Sequence, residues 1–299
     1  MSPNVSQIIL DYYIDKHYLY AFKNPLKRKE MSDKKDPFDF TGTFGDYTVY
    51  DDPATGKRVV SRKGGPTPEQ FRTSPNYART REGCKEFGGR SKWASMFKKA
   101  LSDIGHLTHV RYYNDIVAAG RQIQQKEVYG IQGNRSIAIS NNPEALAMIE
   151  FNVSHPFRNI VRFKHETSLS PDKTTVTLNI PEFITSRDVR WDKKFLAVRI
   201  YLVIAQQSDF AWNPVLEVYE PVVPDLEIFS QCVASDWIYQ NSEINQVTLT
   251  ASFEKPAFSA PGTSVIVAMG VEFSLQAIMG QPYVTPGNGS AAIVGYFGS

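Results

Sequence analysis

The chain has 299 residues, 42% hydrophobic and 21% charged, with a formal charge of +2 at pH 7. That is enough apolar material for one large domain or two ordinary ones, and two cysteines, Cys84 and Cys232, exclude a disulfide framework. A charge so near zero argues against a general polyanion binder, and the longest apolar runs, such as 265–270, fall far short of the ~20 residues of a membrane-spanning helix.

The charge is unevenly spread. Residues 57–99 hold 12 Lys/Arg against 3 Glu, whereas residues 150–299 hold 10 basic and 15 acidic side chains. Regions of opposite sign attract each other, within a chain or between copies. The two thiols are expected to be free and buried.

Residues 1–30 stand apart. The aromatic stretch 9–22 suits one short helix, and Lys27-Arg28-Lys29-Glu30 leads to Met31. No small-residue cleavage site follows Ile8-Ile9-Leu10, so a secretory leader is not supported and a cytoplasmic location is the default expectation. Two readings stay open: an extension ahead of a start at Met31, or a docked helix with a basic tail.

Two short strands are expected at 41–50 and 57–63, joined by a loop with Asp-Pro and Thr-Gly turn formers. Gly64-Gly65-Pro66 ends the pairing. Thr67-Pro68-Glu69 supplies a cap, a first-position proline and an acid, which predicts a brief helix stopped before Pro75. From Ser74-Pro75 to Ile104 the spacing predicts the main helix. Its apolar stripe is Tyr77, Cys84, Phe87, Ala94, Phe97, Leu101 and Ile104, and its opposite face carries Arg79, Arg81, Lys85, Arg90, Lys92, Lys98 and Lys99. Gly83 and Gly88-Gly89 interrupt it at a cost of ~1 kcal/mol each relative to Ala. That cost suits the close approach of another backbone, or a kink. A second helix at 110–124, with Val110, Tyr113, Val117 and Gly120 on one side, should pack antiparallel to the first. A short strand at 137–139 and a short helix at 143–149 follow.

From residue 151 the pattern changes to strands, expected at 160–164, 174–180, 195–205, 215–219, 225–232, 246–253, 265–276 and 291–297. Period-2 alternation, as in Val198/Ile200/Leu202/Ile204 against Arg199 and Tyr201, predicts antiparallel sheet with one wet face. The expected fold class is therefore α+β. A β-hairpin and helical hairpin region in 31–150 precedes an all-β antiparallel sandwich in 151–299, immunoglobulin-like or jelly-roll-like.

Residues 42 to 152 resemble a family of uncharacterised bacterial conserved proteins. The resemblance is carried by Gly42-Thr43-Phe44-Gly45-Asp46, Val60-Ser61-Arg62-Lys63-Gly64-Gly65, Arg72-Thr73-Ser74-Pro75, Ala78-Arg79-Thr80-Arg81-Glu82, Glu86-Phe87-Gly88 and Phe151-Asn152. It covers a little over a third of the chain and implies no activity. What it implies is the boundary near residue 150 and a start at Met31.

Candidate chemistry is thin. His106 and His109 are three apart, a spacing that puts two metal ligands on one helix face, but they sit at a predicted turn with Asp103 as the one nearby acid. His155 and His165 read as structural. Carboxylate pairs at Asp51-Asp52, Glu217/Glu220 and Asp188/Asp192 come with no partner His or nucleophile signature. Gly-x-Ser-x-Gly, the phosphate-binding Gly-x-x-x-x-Gly-Lys and the dinucleotide Gly-x-Gly-x-x-Gly are all absent. Neither a metal nor a cofactor is expected.

The expected function is non-enzymatic: a structural or interaction protein that self-associates through its basic helical region and acidic sandwich. On that expectation the binding residues are Arg62, Lys63, Arg72, Arg79, Arg81, Arg90 and Lys92, and the partner is another protein or a second copy. An alternative uses residues 62–99 to bind nucleic acid, with Tyr77 and Trp93 stacking on bases. A second alternative is a carbohydrate-binding or hydrolytic sandwich built on Trp191, Trp212, Trp237, Tyr239 or loop carboxylates.

Overall fold

A computed structural model describes residues 40–298 except 54, 63, 129, 225, 227–229 and 255–259. Expectations for residues 1–30 and for Lys63 lie outside the described residues. The chain divides at Thr67/Pro68 into two compact units, Met1–Thr67 and Pro68–Ser299. Residue 150, where the pattern turns from helix to strand, lies inside the second unit.

The first unit holds an antiparallel sheet of β1 (Gly42–Phe44), β2 (Tyr47–Asp51) and β3 (Arg58–Arg62) in that order. The loop between β2 and β3 closes through Asp52 and Lys57, and Arg58 Nε donates to Asp51 at 2.9 Å across the pair. Val49 is buried, while Phe44, Tyr47, Tyr50 and Val60 are exposed.

The second unit opens with α1 (Pro68–Thr73), which begins at the expected proline and carries Glu69 in its first turn. A 3-10 turn at Pro75–Tyr77 leads into α2 (Ala78–Ala100), unbroken through all three glycines. Of these, Gly89 is the one in tight contact: a Cβ there would lie 2.5 Å from the Tyr219 ring. The close approach is to a side chain rather than a backbone. After a 3-10 turn at Ser102–Leu107, α3 (Tyr112–Lys126) returns antiparallel to α2, shown by contacts between Arg90 and Gln124, Gly120 and Trp93, and Ser91 and Tyr113. Val110, expected on its inner face, precedes the helix and is fully exposed.

The apolar stripe expected on α2 holds only in its second half. Its buried residues are Glu86, Gly89, Trp93, Ala94, Phe97 and Ala100, so at the N-terminal end the inner face is turned by one residue. Cys84 is exposed rather than buried, and Phe87 is exposed with Arg90 over its ring. Both cysteines are free.

The strand region begins with a single turn, α4 (Phe157–Ile160), where a strand at 160–164 is expected; one isolated bridge, Val161 to Val189, is all the pairing there. Then come β4 (Glu166–Leu169), β5 (Thr175–Ile180), β6 (Phe183–Ile184), the turn α5 (Thr185–Asp188) and β7 (Ala197–Ser208). A hairpin of β8 (Phe210–Asn213) and β9 (Val218–Pro221) takes the place of a strand at 215–219. β10 (Ser230–Ala234), β11 (Ile238–Tyr239), β12 (Glu243–Ile244), β13 (Val247–Ser252), β14 (Thr263–Ser274), β15 (Gln276–Ile278), β16 (Gln281–Tyr283) and β17 (Gly289–Gly298) complete the chain.

The architecture is mixed α+β with antiparallel sheets. A five-stranded sheet runs β10-β7-β14-β17 with β11 also on β7, and a three-stranded sheet runs β13-β5-β4. Val176, Leu178, Leu249 and Ala251 of the small sheet pack against Ile200, Leu202, Val265, Val267 and Met269 of the large one. On the other face of the large sheet Val203, Ala205, Ile266 and Ala268 pack against Trp93, Phe97, Ile104, Leu107 and Ile116 of the helical layer. So the strands at the centre of the large sheet lack the wet face that alternation predicts. All twelve residues of β14 are buried, because helices cover the second face. β13 does keep a wet face, alternating exposed and buried along its length.

Candidate functional site

The sequence places the binding residues on one basic face, and the structure gives each its own surroundings. Arg62 is an exposed residue of β3 in the first unit. In the second unit, Arg72 is exposed and bonds the Pro68 carbonyl of its own helix. Arg79 bridges Glu82 and Gln132, at 3.1 and 2.9 Å. Arg81 is turned inward, donating to the carbonyls of Phe71 (2.7 Å) and Ser74 (2.9 Å), and so ties α1 to α2. Lys92 is exposed and reaches the Tyr219 carbonyl at 3.4 Å.

Arg90 is half-buried, in a polar network the apolar pattern does not reveal. Arg135 holds the buried Glu86 carboxylate through two hydrogen bonds of 2.7 Å. The Gly133 N–H adds a third at 2.9 Å, and Arg90 stands 3.9 Å away. Burial pushes the Glu86 carboxyl up, but the Arg135 and Gly133 hydrogen bonds and the two arginine charges outweigh it and hold the group below the usual carboxylate range. Gln124 accepts from Arg90 and donates to the Arg135 carbonyl, and the Tyr219 hydroxyl donates to the same carbonyl at 2.9 Å. This network fastens the 127–136 loop to α2, α3 and β9.

The histidines do not come together. His106 pairs with buried Glu272 at 2.9 Å, whose other oxygen accepts from the Tyr201 hydroxyl at 2.7 Å. His109 bonds Asp115 and the Glu150 carbonyl. Among the described residues no three His, Cys, Asp or Glu converge as metal ligands. In each carboxylate pair one member is taken up by a neighbour: Asp51 is held by Arg58, Asp188 by Arg187, and Glu220 accepts from Asn213.

The aromatic residues proposed for a sugar platform have different neighbours. Trp212 lies under Lys85, Trp237 under Arg199, and Trp191 stacks on both His155 and Phe273.

One opening at the surface of the second unit is a groove beside the C-terminal end of α2. It holds about 420 Å³ and is lined by Ser95, Lys98, Lys99, Leu101, Tyr112 and Tyr113. Neither lysine pairs with a described residue. The buried Tyr112 hydroxyl has no hydrogen-bond partner among the described residues, and burial pushes its pKa up. The same unit carries an exposed apolar tip between β8 and β9, where Val215 is 87% and Leu216 62% exposed beside exposed Glu217. The basic end of α2 was legible in the sequence; the groove and the tip were not, because both depend on how hairpins pack.

Comparisons with known protein families, with curated proteins and with solved structures found no match to this chain. The resemblance of residues 42–152 rests on its own motifs.

Proposed function

We propose that this chain is a non-enzymatic structural protein that assembles with copies of itself, head to tail. The β8–β9 tip of one copy enters the groove at the end of α2 in the next. Val215 and Leu216 cover the apolar lining, and Glu217 meets Lys98 and Lys99.

The observation that carries this is the coexistence in one chain of a basic-rimmed groove and an exposed, acid-flanked apolar tip. Exposed apolar groups flanked by charge mark contact surfaces, and opposite charges steer the encounter. The charge pattern agrees: after residue 195 the sequence has 2 basic and 9 acidic residues. Because tip and groove are different patches, the contact is heterologous and propagates into a ring or a filament.

Light scattering on the purified chain tests this between about 0.01 and 1 M salt, where the Debye length falls from about 30 to about 3 Å. The expected result is a multi-chain mass at low salt that drops as salt rises. A monomer at every salt concentration refutes self-assembly.

A further inference from the structure

A second cavity lies in the half of the chain that averages acidic. It holds about 340 Å³ and is lined by Arg158, Arg162, Arg190, His155, Trp191 and Asp192, among others. The backbone builds it. The Arg162 N–H donates to the Asp188 carbonyl and the Arg190 N–H to the Ile160 carbonyl, at 2.9 and 2.8 Å. These two bonds flank the Val161–Val189 bridge and set the two arginines on neighbouring segments. Arg158 comes from α4, one turn before Arg162.

These arginines differ from those of α2. No described residue pairs with the side chain of Arg162 or Arg190, and Arg158 reaches a single carbonyl, that of Ala147, at 3.4 Å. All three are exposed. Three arginines against Asp192 leave a formal charge of +2 around one small cavity. Asp192 itself sits 3.4 Å from His155, whose ring stacks on Trp191 at 4.4 Å. Trp191 in turn stacks on buried Phe273, so this wall is anchored in the core. Like charges held together without counter-charges repel one another unless a ligand supplies the balance.

We propose that this cavity binds a phosphate group. A phosphate dianion matches the charge of +2, and its oxygens suit the planar fork of donors that arginine presents. The volume is at the small end of ligand sites, sized for a phosphorylated metabolite or the free ion rather than a polymer. The site is independent of the proposed assembly contact and shares no residue with it.

Isothermal titration calorimetry on the full chain tests this with inorganic phosphate, glycerol 3-phosphate, acetate and a single-stranded oligothymidylate. Both phosphate probes should bind and acetate should not. Equal affinity for the two assigns the free ion, and tighter binding of glycerol 3-phosphate assigns a phosphomonoester; either supports the site. Arg162→Met and Arg190→Met should each weaken binding by about tenfold or more, the loss of one charge-assisted hydrogen bond. Asp192→Asn should tighten it, a change that damage to the fold would not produce. The proposal is overturned if neither phosphate probe binds, if both arginine variants bind as the parent does, or if the oligonucleotide binds more tightly than glycerol 3-phosphate.

Discussion

Replacing Arg135 with methionine tests whether the buried network holds the helical layer together. The Glu86 side chain is 4% exposed and that of Arg135 22% exposed. The substitution removes both 2.7 Å hydrogen bonds and leaves a carboxylate with only the Gly133 N–H and the more distant Arg90. Removing one member of a buried pair costs about 3–5 kcal/mol. For a unit of this size that lowers Tm by roughly 6–20 °C, at about 2–4 °C per kcal/mol. Differential scanning calorimetry at neutral pH measures it.

The pH dependence makes the test specific. In the parent chain Glu86 titrates below 4.5, so its contribution is present above that value and is lost as pH falls through the folded pKa. In the variant, burial acts without Arg135 and raises the pKa. Acid then neutralises the stranded carboxylate, and the difference from the parent shrinks as pH falls. A neutral-pH loss under about 1 kcal/mol, against the magnitude expected for a buried pair, would refute the reasoning. So would a loss that does not shrink on acidification.

Three further outcomes follow from the packing and the pairs. Gly89→Ala should destabilise by about 1–3 kcal/mol, because the added methyl displaces the Tyr219 ring. Gly88→Ala meets no atom within 4 Å and should stabilise by about 0.5–1 kcal/mol; thermal melts of the two variants must move in opposite directions. His106 is held above 6.5 by its hydrogen bond to Glu272, against burial, so its contribution is full below 6.5 and lost as pH rises through the folded value. Burial pushes Glu272 up, but its bonds to His106 and Tyr201 hold it below 4.5, so that contribution is lost as pH falls through its folded value. The Tm difference between parent and His106→Gln should therefore be largest between pH 4.5 and 6.5 and decline on both sides; a flat difference contradicts the pairing.

Much of the fold is legible in the sequence because local signals agree with tertiary context. The brief helix at Pro68–Thr73, the helical spacing around Ala94 and Phe97, and the alternation of β5 and β13 all reappear as structure. The failures have a common cause. Periodicity counts apolar residues, and the inner face of α2 is partly polar: Glu86 is buried by pairing with Arg90 on its own helix and with Arg135, 49 positions away. An apolar stripe through Cys84 and Phe87 is the natural misreading. In β7, Arg199 and Tyr201 look like solvent-facing residues, but Tyr201 is half-buried with its hydroxyl on Glu272, and helices cover that side. Charge totals hide structure as well. Averaging residues 150–299 to an acidic region conceals Arg158, Arg162 and Arg190 around one cavity. At the site level, the basic end of α2 is legible as Lys98-Lys99, whereas the tip that would fill the groove is visible only once β8 and β9 are paired.

The proposed self-assembly turns on the tip of one copy entering the groove of the next. Two variants isolate the halves: Leu216→Asp disables the tip and keeps the groove, while Lys98→Glu with Lys99→Glu disables the groove and keeps the tip. Each alone should sediment as a monomer. Mixed at low salt they should form a one-to-one dimer that grows no further, because one intact tip meets one intact groove. Two unchanged monomer peaks in the mixture, or full-size assemblies from either variant alone, would contradict it.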